Sequence, residues 1–296
     1  MSSCGSQRLF FFKLHKVGGT TVANVVESYQ RRHGLQLCPR TSLQDQLDDC
    51  DVINTHDGSQ DFVSRFGFHA WLNLGWPVRP KAVTAIILRD PRERLLSRFF
   101  YDRHAKTGMA FNGNWSAVWS WLASLSYRET HHYQALLVRD CSRQPSECWS
   151  SAAQHLMCDF DVVGVTEDIS IFFVLLAMSL GCPVVDFTYS SIRVEVGRPS
   201  ISDAPQGLQL HLHDMLKSSG ELALHQLARQ RMLTLARDKF RDTFDSELQH
   251  YNSLQKQREV APGTNCTFTA DTQKLASKVN RKGSAKDCFR LVTGTE

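Results

Sequence analysis

Three apolar runs in the first ninety residues predict buried β-strands, because each is short and ends in a polar turn. They lie at 9–14, 51–55 and 82–88. Helical patterns follow the first and third runs, and after the first the apolar positions recur at helical spacing: Val22, Val25, Val26 and Tyr29. Strands that alternate with helices are typical of an α/β fold with a mostly parallel sheet.

The later chain reads as mostly helical. The aromatic segment 114–139 predicts a helix that packs over the sheet; the alternative is that some of its rings form a platform for an acceptor sugar. Residues 182–206 read as a long connection that contains Gly197, Pro199 and Pro205. A second apolar stripe indicates core packing in a helical C-terminal part. Its members are Leu233, Ala236, Phe240, Phe244 and Leu248.

The turn after the first strand, KVGGTT, begins at Lys16 and carries groups that suit a phosphate. Gly18 and Gly19 allow a sharp turn and a close backbone approach to a ligand. Thr20 and Thr21 stand where a helix would begin, and the N–H groups of a helix start attract anions. The alternative interpretation is an ordinary connection with a surface lysine.

This turn differs from the common nucleotide-binding P-loop, which requires G-x-x-x-x-G-K-[ST]. Lys16 precedes the glycines, and the sequence contains neither a Gly-Lys dipeptide nor a G-x-G-x-x-G pattern. A kinase or NTPase function therefore loses its main support.

The turn after 82–88 is also suited to an anion. Arg89 and Asp90 follow the strand directly, at the edge where ligands of open α/β sheets bind, and Pro91 suits the first turn of a helix. Further polar residues at three- to four-residue spacing are expected to share a face with Arg89: Arg94, Ser97 and Arg98. The alternative is a solvated basic helix start that Asp90 and Glu93 balance.

Together the two segments resemble sulfotransferases that use 3′-phosphoadenosine 5′-phosphosulfate (PAPS), above all the Golgi carbohydrate group with the heparan sulfate 2-O- and 6-O- and galactose 3-O-sulfotransferases. That family carries K-x-G-[GS]-[ST]-[ST] and R-[DN]-P-x-x-R-x-x-S motifs. The resemblance implies that one set of residues holds the phosphosulfate: Lys16, Gly18, Gly19, Thr20 and Thr21. It also implies that Arg89 and Ser97 hold the 3′-phosphate.

The resemblance extends loosely to 161–168 and 207–252. It implies a P-loop-like three-layer α/β/α fold with a central, mostly parallel sheet, in one domain over residues 1–296 with its core at about 9–250. The remainder, 251–296, is expected to be a C-terminal extension. Its basic run RKGSAK at 281–286 is a candidate for closing the nucleotide site, and the alternative is a solvated tail.

Sulfuryl transfer needs a base near the acceptor hydroxyl, and a histidine or a glutamate usually serves. Among twelve histidines, His56 is the first candidate, because it follows the second strand and its segment resembles the 2-O-sulfotransferase segment with the catalytic histidine. His69, in a segment faintly similar to the 6-O enzymes, is the second candidate. His15 adjoins the first turn and either contacts a ligand or only packs.

Composition narrows the class of protein. The 296 residues are 42% hydrophobic and 22% charged, and the net charge is +4. This mild charge does not indicate nucleic acid as a partner and is compatible with an anionic donor and a glycan acceptor. Two histidine pairs, His131/His132 and His211/His213, lack carboxylate or cysteine companions at metal-ligand spacing, so no metal is expected.

The nine cysteines show no zinc-type spacing, and Cys141–Cys148 and Cys266–Cys288 are candidate disulfides for an oxidising compartment. Sequons at Asn114 and Asn265 are compatible with a glycoprotein. No run reaches the length of a transmembrane span, and no signal peptide pattern is present. The resemblance implies the Golgi lumen if an anchor is missing from this sequence; the alternative is the cytoplasm.

The sequence therefore predicts an enzyme that transfers a sulfuryl group from PAPS to an acceptor hydroxyl, most naturally of a carbohydrate. One alternative keeps the donor and changes the acceptor to a small metabolite or a tyrosyl side chain. Another is a non-catalytic member that binds nucleotide or glycan. The motifs define the donor, whereas loops and cleft shape define the acceptor.

Overall fold

A computed structural model describes residues 8–12, 19–36, 52–54, 82–102, 111, 113–131, 133, 137, 145–189 and 199–260. Within these residues, four strands form one parallel sheet in the order β2-β1-β3-β4. The strands are β1 (Arg8–Phe12), β2 (Val52–Asn54), β3 (Ala82–Leu88) and β4 (Val162–Val165). The predicted α/β class with a parallel sheet is confirmed.

Both faces of the sheet are covered, as the continuous apolar pattern of its strands requires. Phe11 packs against Phe172 on one face, with ring centroids 6.3 Å apart. Phe12, which points to the opposite face, packs against Phe160 at 6.2 Å. None of these side chains is more than 1% exposed, so β1 lies at the centre of the core.

Helices make up most of the rest of the described chain. They are α1 (Gly19–Arg32), α2 (Pro91–Phe100), α3 (Trp115–Ala123), α4 (Tyr127–Thr130), α5 (Pro145–Cys158), α6 (Ile169–Leu180), α7 (Gln206–Ser218), α8 (Glu221–Lys239) and α9 (Phe244–Val260). Short 3₁₀ turns occur at Thr166–Asp168, Val184–Phe187 and Ile201–Asp203. Within this part of the chain, no helix is both long and apolar enough to cross a membrane.

The helix that follows β3 begins where the sequence predicts. Pro91 occupies the first position of α2, and Asp90 caps it by accepting a hydrogen bond from the backbone N–H of Arg92 at 2.8 Å. The cap and the fixed proline dihedral together set the direction in which the chain leaves the sheet.

The apolar residues form two clusters. The larger one joins the sheet with α1, α5, α6, α8 and α9, whereas the smaller one joins α2, α3 and α7. The prediction that 114–139 packs a helix over the sheet is wrong for α3. Its buried residues, Val118 and Leu122, belong to the smaller cluster, and Trp115 and Trp121 also pack against that cluster and not against the sheet.

The predicted apolar stripe is confirmed for four of its five members: Ala236 and Phe244 are buried, and Phe240 and Leu248 pack against the core. On α8 the buried apolar residues are four apart: Leu224, Ala228, Met232 and Ala236. Leu233 is 45% exposed, so its assignment to the core is wrong, since it lies about 100° around the helix from Met232. Tyr251 on α9 is fully buried, and packing therefore continues beyond residue 250.

Gly164 in β4 gives a test of this packing. A Cβ atom there would lie 2.8 Å from Cβ of Phe172, which is fully buried and cannot move aside freely. Gly164→Ala is expected to lower the free energy of unfolding by about 1–3 kcal/mol, because overpacking strains the core. Chemical denaturation measures this change.

Gly207 on α7 is the matched control, since nothing lies within 4 Å of its added Cβ. Gly207→Ala is expected to be neutral or to stabilise the protein by up to about 1 kcal/mol through helix propensity. Equal stability of the Gly164→Ala variant and the wild type would contradict the close packing of α6 on β4.

Candidate functional site

The strand order places the two phosphate-type turns side by side. From β1 the chain moves to β2 on one side, whereas β3 lies on the other side, so the order reverses between β1 and β3. In open α/β sheets the crevice at such a switch point, at the carboxyl ends of the strands, is where ligands bind. Phe12 pairs with Ile86, and β3 continues to Leu88, so both turns leave from neighbouring strand ends.

The described residues include only part of the first turn. Gly19 and Thr20 are the first two residues of α1, and Thr21 follows them, which agrees with the predicted helix start. Several predicted residues lie outside the described residues: Lys16, Gly18, His15, His56 and His69. The basic run at 281–286 lies outside them too.

Arg89 is the first residue after β3, and its guanidinium is partly buried. Nη2 of Arg89 donates to Oε2 of Glu93 at 3.3 Å, across one turn of α2. The other oxygen of Glu93 accepts the backbone N–H of Ile201 at 2.7 Å, which fixes the carboxylate. Among the described residues, Nε and Nη1 of Arg89 make no hydrogen bond, so the guanidinium has donors to offer a ligand.

Ser97 lies buried on α2, one turn beyond Glu93, so both stand on the side of the helix that Arg89 reaches. The other two basic residues predicted for that face have structural partners instead. Arg98 forms ion pairs with Glu129 at 2.5 Å and Asp102 at 3.5 Å.

Arg94 is fully buried, so its interpretation as part of a solvated basic helix start is wrong. Its Nη2 donates to the backbone oxygen of Glu129 at 2.9 Å, and its guanidinium carbon lies 5.6 Å from the ring centroid of Tyr133. Nε and Nη1 make no hydrogen bond in the described part of the chain. Burial lowers the pKa of this guanidinium, and the negative charge of Glu221 opposes the shift without cancelling it.

Glu221, at the first position of α8, supplies the counter-charge in this buried region. It is fully buried, and its carboxylate accepts the backbone N–H of Tyr133 at 2.9 and 3.1 Å. Tyr133 is fully buried as well, and this burial raises the pKa of its hydroxyl. The tyrosine therefore stays neutral and acts through hydrogen bonds.

The Tyr133 hydroxyl binds the main chain of Arg89. The N–H of Arg89 donates to the hydroxyl at 3.1 Å, and the hydroxyl donates to the carbonyl oxygen of Arg89. The next N–H, of Asp90, donates to Oε1 of Glu167 at 2.8 Å. Two side chains from distant segments thus take over the backbone hydrogen bonds of this turn.

Side chains on one face of α8 bind both Tyr133 and Glu167. Glu221, His225 and Arg229 are four residues apart and so project from one side of the helix. His225 Nε2 lies 3.1 Å from Glu167 Oε2, and Nε of Arg229 donates to Asp168 at 2.7 Å. Sequence reasoning missed this polar row, although its E-x-x-x-H-x-x-x-R spacing at the start of a helix was a visible signal.

The carboxylates at the turn are held in their ionised form. Burial raises the pKa of Asp90, but the hydrogen bonds and charge of Arg92 outweigh it and leave the pKa below the ordinary 3.8. Burial also opposes ionisation of Glu167, yet hydrogen bonds from His225 and the Asp90 N–H hold its pKa below the ordinary 4.5. The turn is therefore most stable when both groups are charged.

The cysteines differ from the expected pattern. Cys148 is a free, buried thiol, so the predicted Cys141–Cys148 disulfide is wrong. Cys182 is disulfide-bonded to a cysteine outside the described residues. The candidate pair Cys266–Cys288 lies outside them too. Among the described residues, no cluster of potential ligands could hold a metal ion.

The ionised carboxylates predict an acid-sensitive turn. Because folding depresses both pKa values, their stabilisation is complete above the ordinary pKa values and is lost as the pH falls through the folded-state values. An Asp90→Asn, Glu167→Gln double variant is therefore expected to lose less unfolding free energy than the wild type between about pH 5 and pH 3. Denaturation curves across this range measure the difference.

Asp245→Asn, at an exposed position of α9, is the control and should follow the wild-type curve. If the double variant loses as much stability in acid as the wild type, the two carboxylates do not hold the turn in the proposed way.

No protein-family model matches the chain, and the search of curated proteins gives no significant match. The function must therefore be argued from the residues at the switch point.

Proposed function

We propose that the protein is a PAPS-dependent sulfotransferase that acts on a hydroxyl group, most naturally of a carbohydrate. The observation that carries the proposal is the adjacency of β1 and β3 at the switch point of the sheet. It brings together the ends of the two strands whose following motifs resemble the 5′-phosphosulfate and 3′-phosphate segments of that family. The parallel α/β sheet, covered on both faces, is compatible with the sulfotransferase fold.

The proposed 3′-phosphate site is formed by Arg89 and Ser97. A planar guanidinium with available nitrogens suits a phosphate, since it can donate two parallel hydrogen bonds. Glu93 accepts a hydrogen bond from Nη2 of the guanidinium and so orients it at the strand end. The proposed 5′-phosphosulfate site comprises the first turn: Lys16, Gly18, Gly19, Thr20 and Thr21.

The proposed reaction is a direct in-line displacement. His56 takes the proton of the acceptor hydroxyl, the acceptor oxygen forms a bond to sulfur, and the bond from sulfur to the phosphate oxygen breaks. 3′-Phosphoadenosine 5′-phosphate leaves with the electron pair. Lys16 and the N–H groups at the start of α1 stabilise the charge on that oxygen. As in phosphoryl transfer, positioning and electrostatics supply most of the rate, and no metal is needed.

The disulfide at Cys182 supports folding in an oxidising compartment. Such a compartment is compatible with a Golgi carbohydrate sulfotransferase and favours this assignment over a cytoplasmic enzyme for small metabolites.

The donor assignment predicts nucleotide specificity. The wild type is expected to bind 3′-phosphoadenosine 5′-phosphate with micromolar affinity and 5′-AMP or ATP much more weakly, because only the first carries a 3′-phosphate for Arg89. Arg89→Ala is expected to weaken this binding by at least about tenfold, the loss typical of one charge-assisted contact. Titration calorimetry measures each affinity.

Arg237→Ala is the charge-matched control. Arg237 is exposed and lies sixteen positions beyond Glu221 on α8, about 24 Å along the helix from the site. Its removal should leave nucleotide affinity unchanged. A preference for ATP, or equal binding by wild type and Arg89→Ala, would contradict the donor assignment.

Substitution of the proposed base is expected to affect the transfer rate and not the nucleotide affinity. His56→Ala is expected to reduce sulfuryl transfer by at least about a hundredfold while nucleotide affinity stays nearly intact, because a general base contributes to the chemical step. Transfer from labelled PAPS to a panel of carbohydrate acceptors measures the rate. If His56→Ala keeps most of its activity and His69→Ala loses it, the base is His69; if the wild type binds nucleotide but transfers to no acceptor, the protein is a non-catalytic binder.

A further inference from the structure

The main chain at Arg89 is held in an unusual way. The backbone ladder of β3 ends at Leu88, which pairs with Val165, so Arg89 lies one residue beyond the sheet. Its N–H and C=O nevertheless both bind one group, the hydroxyl of Tyr133. The Tyr133 hydroxyl therefore makes the backbone hydrogen bonds of Arg89 that a neighbouring strand would otherwise make.

Tyr133 is fixed independently of any ligand. Its ring is fully buried and lies beside the Arg94 guanidinium, and its N–H is held by the carboxylate of Glu221. Both of those residues are also fully buried. The position of the hydroxyl is thus set by the core and not by the crevice.

The guanidinium of Arg89 depends on this backbone support. In the described part of the chain, the guanidinium hydrogen-bonds to one side chain, that of Glu93, which lies four residues later on α2. A small rotation of the Arg89 backbone would swing the end of a long side chain through a larger distance. Misplacement by about 1 Å is enough to weaken a binding or catalytic geometry severely.

We propose that Tyr133 is a positioning residue, whose hydroxyl sets the main chain of Arg89 so that the guanidinium faces the 3′-phosphate of the nucleotide. This role rests on the proposed function for its ligand, whereas the hold on the Arg89 backbone stands on the contacts themselves. Tyr133 does not touch the nucleotide in this proposal; it acts through Arg89.

Tyr133→Phe tests the proposal, because it removes the hydroxyl and keeps the ring against Arg94. Tyr251→Phe is the matched control: Tyr251 is also fully buried, and its hydroxyl donates to a backbone oxygen, that of Phe187, at 3.3 Å. Two quantities are measured for each variant, the affinity for 3′-phosphoadenosine 5′-phosphate and the hydrogen-exchange rate of the Arg89 amide. Thermal melts show that both variants are folded.

Tyr133→Phe is expected to weaken nucleotide binding by about tenfold, as the loss of about 1.4 kcal/mol of positioning would. The exchange of the Arg89 amide is expected to rise by about the same factor or more, because its hydrogen-bond acceptor is gone. Tyr251→Phe should change neither quantity. A Tyr133→Phe variant with wild-type affinity, or with an unchanged Arg89 amide, would overturn the positioning role.

The two readouts separate this inference from the proposed function. If the wild type binds no nucleotide but Tyr133→Phe still accelerates exchange at Arg89, the donor assignment fails and the hold on the Arg89 backbone stands. If the wild type binds and Tyr133→Phe binds equally well, the donor assignment stands and Tyr133 has no positioning role.

Discussion

The arrangement of the site depends on one buried carboxylate. Glu221 lies at the start of α8, where the helix N-terminus favours a negative charge, and it holds the N–H of Tyr133 in a region that also contains the buried cation Arg94. An isolated charge at either position would be costly, so each makes the other tolerable. Through Tyr133 the carboxylate fixes Arg89, and through the next turns of α8 the same helix supports Glu167 and Asp168.

The parts of the fold that sequence reasoning predicted are those with local signals. Strand β3 has continuous apolar patterning, and the proline and aspartate after it define a helix start that does not depend on distant residues. The parallel sheet follows from strands separated by helices. The same local logic grouped Arg89 with Ser97, and in the structure Arg89 follows β3 directly while Ser97 lies buried on α2.

The rest depended on contacts that no local pattern specifies. Arg94 has the sequence context of a surface arginine, and only the arrival of Tyr133 and Glu221 makes it a buried one. Leu233 is apolar, as core residues are, but the tertiary packing decides which side of α8 faces β4 and α5 and becomes buried. The polar row on α8 was missed because its partners are far away in the sequence. Nothing in the sequence links α8 to Tyr133, Glu167 or Asp168.

The long reach of these contacts also fixes the order in which the turn can be completed. The partners of Arg89 and Asp90 lie 44 and 77 residues later in the chain, and Tyr133 in turn waits for Glu221, a further 88 residues on. A ribosome makes the chain from its N-terminus, so β1 and β3 exist well before α8 does. Contacts of such separation form slowly. Strands β1 and β3 can therefore pair early. Arg89, which lies between β3 and α2, acquires its final geometry only after synthesis has passed residue 221.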